Sequence, residues 1–158
     1  MTHLLRGLAA GAAGTTALNA ATYLDMVLRG RPASSTPEET VRSAERIANT
    51  SLGSEAAQSA GENRRTGTGA LLGIASGLGA GLLHAILRHR LPHAPGPLLA
   101  LATAAAANAI SVVPMTALGV TQPRSWPASS WASDLIPHLV FGVVTAATYD
   151  LLGPRSGH

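Results

Sequence analysis

Charge is missing from long stretches of this chain. None lies between Gly7 and Leu24, between Thr66 and Leu87, between Leu91 and Pro123, or between Leu135 and Tyr149, with histidine counted as neutral. The third gap alone runs for 33 residues. A bilayer core about 30 Å thick is crossed by about 20 apolar residues at a rise of 1.5 Å each. The gaps therefore predict four spans, at about 4–28, 67–88, 97–120 and 133–153, within a single membrane domain 1–158. The expected fold class is all-α, an integral membrane four-helix bundle with Gly/Ala-rich interfaces.

Two other readings of the same gaps stand beside this one. A soluble alanine-rich bundle would also show mild hydropathy, because alanine and glycine gain little in hydrocarbon. It would need a polar stripe on its outer faces, and neither 67–87 nor 97–120 offers one. Arg6, the apolar run and Ala17-Leu18-Asn19-Ala20 could pass for a signal peptide with its cleavage site. The apolar run continues through Tyr23 and Met26 to Leu28, however, which favours an uncleaved first span.

Composition agrees with helices packed through small residues. There are 30 alanines and 17 glycines, only 3% aromatics, and 12% charged residues against about 25% in a typical soluble domain. No cysteine is present, which excludes disulfides, thiol catalysis and Cys-metal sites. The sequence pI of about 10.6 suggests nucleic-acid binding, but the net charge is only +3. All eleven basic residues are arginine, which keeps its charge to very high pH. No basic run with interleaved aromatics appears, so no nucleic-acid partner is expected.

Residues 29–66 form the one long polar loop. Ser35 or Thr36 can cap a helix, Pro37 suits its first position, and Glu38 and Glu39 favour its positive end. A short amphipathic helix is expected at 37–48, with Val41, Ala44, Ile47 and Ala48 on one face, lying on the membrane or against the bundle. Residues 49–66 are rich in Ser, Gly, Ala and Asn and read as a mobile connection. Trp126 and Trp131 sit where interfacial anchors belong, and Pro114 is expected to kink the third span. Seven arginines flank the two loops of one side and four the side of the termini, so the positive-inside rule leans to cytoplasmic loops.

Each span carries its small and polar residues on one stripe. These are Gly7, Gly11, Gly14, Leu18, Ala21 and Asp25; then Gly73, Gly77, Gly81 and His84; then Ala100, Ala104, Asn108, Ser111 and Met115; then Asp134, His138, Gly142, Thr145 and Tyr149. Small-xxx-small seams let membrane helices approach closely. Thr15, Asn19, Asn108 and Thr145 are the expected interhelical polar contacts. Ala21-Thr22-Tyr23-Leu24-Asp25 and Ala147-Thr148-Tyr149-Asp150 form a short internal echo, of the kind inverted repeats leave.

Four antiparallel spans bring Asp25, Asp134 and His138 to one membrane side. A carboxylate beside an imidazole is a unit of proton transfer or ligand binding, and an ionisable residue in a span is a functional candidate. The structural explanation competes: Asp25 lies one turn before Arg29, and Ser133 and Asp134 can cap the last helix. His84, His89 and His93 could brush a metal, but Pro92 breaks the helix between the last two, and all three read as interfacial. No phosphate loop, His-Glu-x-x-His or Gly-x-Ser-x-Gly is present. No enzyme, cofactor or metal is expected.

Gly14-Thr15-Thr16-Ala17-Leu18-Asn19, Tyr23-Leu24-Asp25-Met26 and the run from Arg29 to Glu38 resemble a group of small actinobacterial membrane proteins. So do Glu62 to Gly67, Pro114 to Thr121 and Pro137 to Gly142. A weaker likeness, His138 to Gly142, is similar to the YagU-type inner-membrane family. The resemblance implies an integral protein of the bacterial plasma membrane and no particular activity, and it lends weight to Asp25 and His138. The expected role is a structural or accessory component in the lipid bilayer, alone, as a homo-oligomer or beside a larger membrane partner. The alternative is a small transporter or channel-like protein with a proton or ligand site near Asp25 and His138.

Overall fold

The computed structural model describes residues 2–52 and 58–153. Among them the chain is all-α, with no strand. Five helices follow one another: α1 (His3–Arg29), α2 (Thr36–Ile47), α3 (Gln58–Arg90), α4 (Gly96–Ala117) and α5 (Ala128–Leu151), with a 3-10 turn at Pro123–Ser125 before the last.

Local chemistry sets the ends. The Thr2 hydroxyl accepts from the Leu5 amide at the start of α1, and Gly30 stops that helix in the left-handed region at φ 61°. Pro37 occupies the first turn of α2 with Glu38 and Glu39. Gly119, at φ 69°, turns the chain after α4. The helix therefore closes at Ala117, a little before the expected 120. α5 starts at Ala128, five residues before the expected 133.

Two sequence expectations need correction. Residues 58–66 are helical rather than a loose connection, so α3 is 33 residues long. Their weak intrinsic preference is overridden by α2, which lies along this part of α3. A Cβ placed on Gly69 would meet the Pro37 Cβ at 2.8 Å, and Arg65 Nε donates to Glu45 Oε2 at 2.6 Å. The buried side of α2 is also different. Val41 and Glu45 are buried, whereas Ala44, Ile47 and Ala48 are exposed. Docking on α3 selects residues four apart on another stripe of the helix.

The four long helices pack in a ring. α1 lies against α3 and α5, and α4 against α5 and α3. Contact is close where glycines meet. A Cβ on Gly11 would stand 2.7 Å from the Gly77 carbonyl oxygen and 3.0 Å from the Gly81 Cα. Gly142 is pressed likewise onto the Ala100 carbonyl and Ala104. Gly73, expected on the same seam, has open space around it. Residues 70–75 of α3 are all exposed.

The interior is built of small side chains, Ala10, Ala80, Ala85, Ala100, Ala104 and Ala107, around Phe141 and Tyr149. Val41 and Leu99 are buried too, but many large apolar side chains face outward. Leu71, Ile74, Leu98, Leu101, Val113, Ile136 and Val143 are all exposed. By length and composition two helical stretches, Ser59–Arg90 and Gly96–Ala117, are able to cross a membrane, and in each only 28% of the apolar window is buried. α1 and α5 carry Thr15, Thr16 and Asn19, and Asp134, His138 and Asp150, which lower their apolar character.

Candidate functional site

Asp134 and His138 lie one turn apart on α5, facing Asn108 and Ser111 of α4. The His138 Nδ1 is 2.7 Å from the Asp134 carbonyl oxygen. A carbonyl only accepts, so Nδ1 carries the proton and donates to it. Asn108 Nδ2 donates to Asp134 Oδ2 at 2.5 Å, linking α4 to α5. The 3.4 Å approach of Asn108 Nδ2 to His138 Nδ1 sets two N–H donors side by side and is no bond. The Ser111 hydroxyl donates to the Asn108 carbonyl at 2.9 Å. His138 Nε2 is left as an acceptor, with Ser111 Oγ at 3.4 Å. The two side chains are largely covered, with exposures of 14% for His138 and 19% for Asp134. A proton or a small donor would engage this arrangement at Nε2.

Asp25 belongs to a different arrangement. Arg31 Nε donates to its Oδ2 at 2.5 Å, and the Ser133 hydroxyl donates to the same oxygen at 3.0 Å. Arg29 Nη1 reaches Asp25 Oδ1 at 3.4 Å and donates to Ser133 Oγ at 2.7 Å. The carboxylate is thus clamped between arginines at the junction of α1 and α5. The structure brings Asp134 and His138 together and places Asp25 beside them, joined through the Ser133–Asp134 backbone rather than in contact with His138.

The four expected interhelical polar residues separate in the same way. Asn108 bridges two helices. Thr15 donates to the Gly11 carbonyl of its own helix at 2.8 Å, as threonines in helices often do. Its Oγ1 sits over Gly77 of α3. Thr145 is fully buried against Gly14, and its hydroxyl has no partner among the described residues. Asn19 is exposed on α1 and its side chain makes no hydrogen bond within the described residues.

Three arrangements escaped the sequence reading. His84, expected at the interface, is 2% exposed. Thr103 donates to the Leu99 carbonyl at 2.7 Å, so His84 Nδ1 must donate to Thr103 Oγ1, also at 2.7 Å. Tyr149 meets the same imidazole edge to face at 5.2 Å. His89 is exposed as expected of an interfacial residue, and its ring stacks on His3 at 5.1 Å. In the polar segment, Glu45 accepts from Arg65 and from the Leu52 amide. The Arg65 guanidinium, then the Leu52 N–H, hold this carboxyl below the usual glutamate range. Glu45 also raises the pKa of Arg65. The main partner of the buried Glu45 lies twenty residues away, and no local pattern announces it.

No group of three or more His, Asp or Glu among the described residues is arranged to hold a metal ion. Comparison with family models, curated proteins and solved structures yields no match to this chain.

Proposed function

We propose that this chain is a four-span integral membrane protein of the bacterial plasma membrane, and that its role is structural or accessory rather than enzymatic. One observation carries the reading: the radial order of side chains is the reverse of a water-soluble bundle. Alanine and glycine fill the interior while leucine, isoleucine and valine cover α3, α4 and α5 outside. Water would penalise that surface at about 25 cal/mol per Å², and lipid tails would not. Helices in hydrocarbon gain by close packing of small faces, which the Gly11–Gly77–Gly81 and Gly142–Ala100 contacts supply. The resemblance to small actinobacterial membrane proteins points the same way. The protein should remain with membranes after an alkaline carbonate wash and float with them on a density gradient. Release into the soluble fraction overturns the reading.

A second reading keeps a proton or ligand site near Asp25 and His138. It is favoured by one feature, the largely covered Asp134–His138 pair with an uncommitted ring nitrogen. On this reading His138→Gln abolishes a ligand- or pH-dependent shift in melting temperature and leaves the fold intact. If His138→Gln and the wild type shift alike, the pair is structural.

A further inference from the structure

The end of the fold opposite Asp25 holds a groove of about 390 Å³, lined by His3, Arg6, Arg88, His89, Tyr149 and Asp150, among others. Three helices meet here, and His3, Arg6, Arg88 and His89 bring donor side chains to it. Arg6 is pinned over Tyr149, with its guanidinium 4.1 Å from the ring centroid. Its Nη2 donates to the Tyr149 carbonyl at 2.7 Å. Its Nε is buried and has no acceptor among the described residues. Gly153 leaves room for this guanidinium, since a Cβ there would lie 2.9 Å from Arg6 Nη2. Arg88 donates to the Ala94 carbonyl at 3.1 Å. Its Nε stands 3.6 Å from Asp150 Oδ1, a loose pair whose carboxylate is half exposed.

The charge count is uneven. Among the described acidic residues, Asp150 alone lines this groove. It shares the groove with two arginines, each permanently charged. His3 and His89 stack with their planes 11° apart, and stacked imidazoles offer further N–H groups at the rim. A buried guanidinium N–H without an acceptor costs free energy. A group with several acceptor oxygens and negative charge would meet the arginine N–H groups that line the groove, and arginine forks match phosphate in this way.

The geometry points to a phosphate-binding site in this groove, taking either a free phosphate or the phosphate of an anionic phospholipid headgroup. The lipid source rests on the membrane reading above, because it needs this end of α1, α3 and α5 at headgroup level. The free-phosphate source does not.

The test is thermal unfolding of the purified full chain with three additions: phosphatidylglycerol, phosphatidylcholine, and inorganic phosphate against chloride at equal ionic strength. A ligand that binds the folded state raises the melting temperature. A rise with phosphatidylglycerol but not phosphatidylcholine or inorganic phosphate assigns the headgroup. A rise with inorganic phosphate assigns the free anion. In either case Arg88→Gln with His89→Gln should raise the half-saturating concentration at least about tenfold. Arg42→Gln with Arg46→Gln, at the far polar segment, should leave it unchanged. Arg6→Gln is avoided as the first variant, because Arg6 also holds α1 to α5. No shift with any phosphate, or a shift lost only in the Arg42/Arg46 variant, overturns the proposal. Should the protein prove soluble without detergent, the membrane reading fails, and the inorganic phosphate arm still decides the site.

Discussion

Gly11 of α1 and Gly81 of α3 face each other with no room for a side chain, a Cβ on Gly11 falling 3.0 Å from the Gly81 Cα. The contact is backbone on backbone, so neither helix can give way by turning a side chain. Gly11→Val should therefore destabilise the fold by about 1–3 kcal/mol through overpacking. Gly73→Ala, on the same helix as Gly81 but in open space, should be neutral or stabilising by up to about 1 kcal/mol from helix preference. Equilibrium unfolding in detergent measures both. Equal losses at the two positions would contradict close packing as their distinction.

Asn108 and Asn19 make a second contrasting pair. Asn108 bonds Asp134 across two helices, and Asn19 is exposed without a side-chain hydrogen bond among the described residues. Asn108→Leu should cost roughly 0.6–2 kcal/mol, the usual worth of such a contact between membrane helices. Asn19→Leu should cost nothing within the fold. A loss of stability for Asn19→Leu that grows with protein concentration would instead reveal a partner on that face.

Thr145 buries a hydroxyl against Gly14 and satisfies it with nothing among the described residues. Replacing an unpaired buried hydroxyl by a methyl removes a desolvation cost. Thr145→Val should raise stability by about 1 kcal/mol, read as a higher melting temperature. A fall would show that the hydroxyl has a partner.

Glu45 gives a pH signature. Arg65 holds its carboxyl below the ordinary glutamate range in the folded state. A group of this kind binds fewer protons folded than unfolded. Its contribution is present above about pH 4.3, the unfolded value, and is lost as pH falls through the lower folded value. Melting curves between pH 7 and pH 3 should show a steeper acid loss in the wild type than in Glu45→Gln. Parallel curves would contradict the linkage.

Charge-free runs located the four long helices because what charge these helices carry lies toward their ends. Boundaries were harder. Residues 58–66 read as a connection because Ser, Gly and Asn favour no helix; the packing of α2 along α3, with Arg65 bonded to Glu45, supports them as helix. The stripe of Asp134 and His138 on the last helix and that of Asn108 on the third were each visible as a period of three and four. The separation of Asp25 was not, since Arg31 lies beyond the helix end and its reach back depends on the turn at Gly30. His84 was misread because its partner Thr103 comes from another helix. Arg6 on Tyr149 joins the two ends of the chain, a distance no local pattern spans.

The central claim is that the outward leucines and isoleucines meet lipid and that the polar ends lie on opposite sides of a membrane. The chain has no cysteine, so single cysteines at Glu62 and His93, both exposed, report cleanly. Intact cells are treated with an impermeant thiol reagent, and permeabilised cells provide the reference. The account predicts labelling of one position and protection of the other in intact cells, with both labelled after permeabilisation; labelling at His93 places the long loop inside. Equal labelling of both positions in intact cells, or equal protection of both, would contradict it.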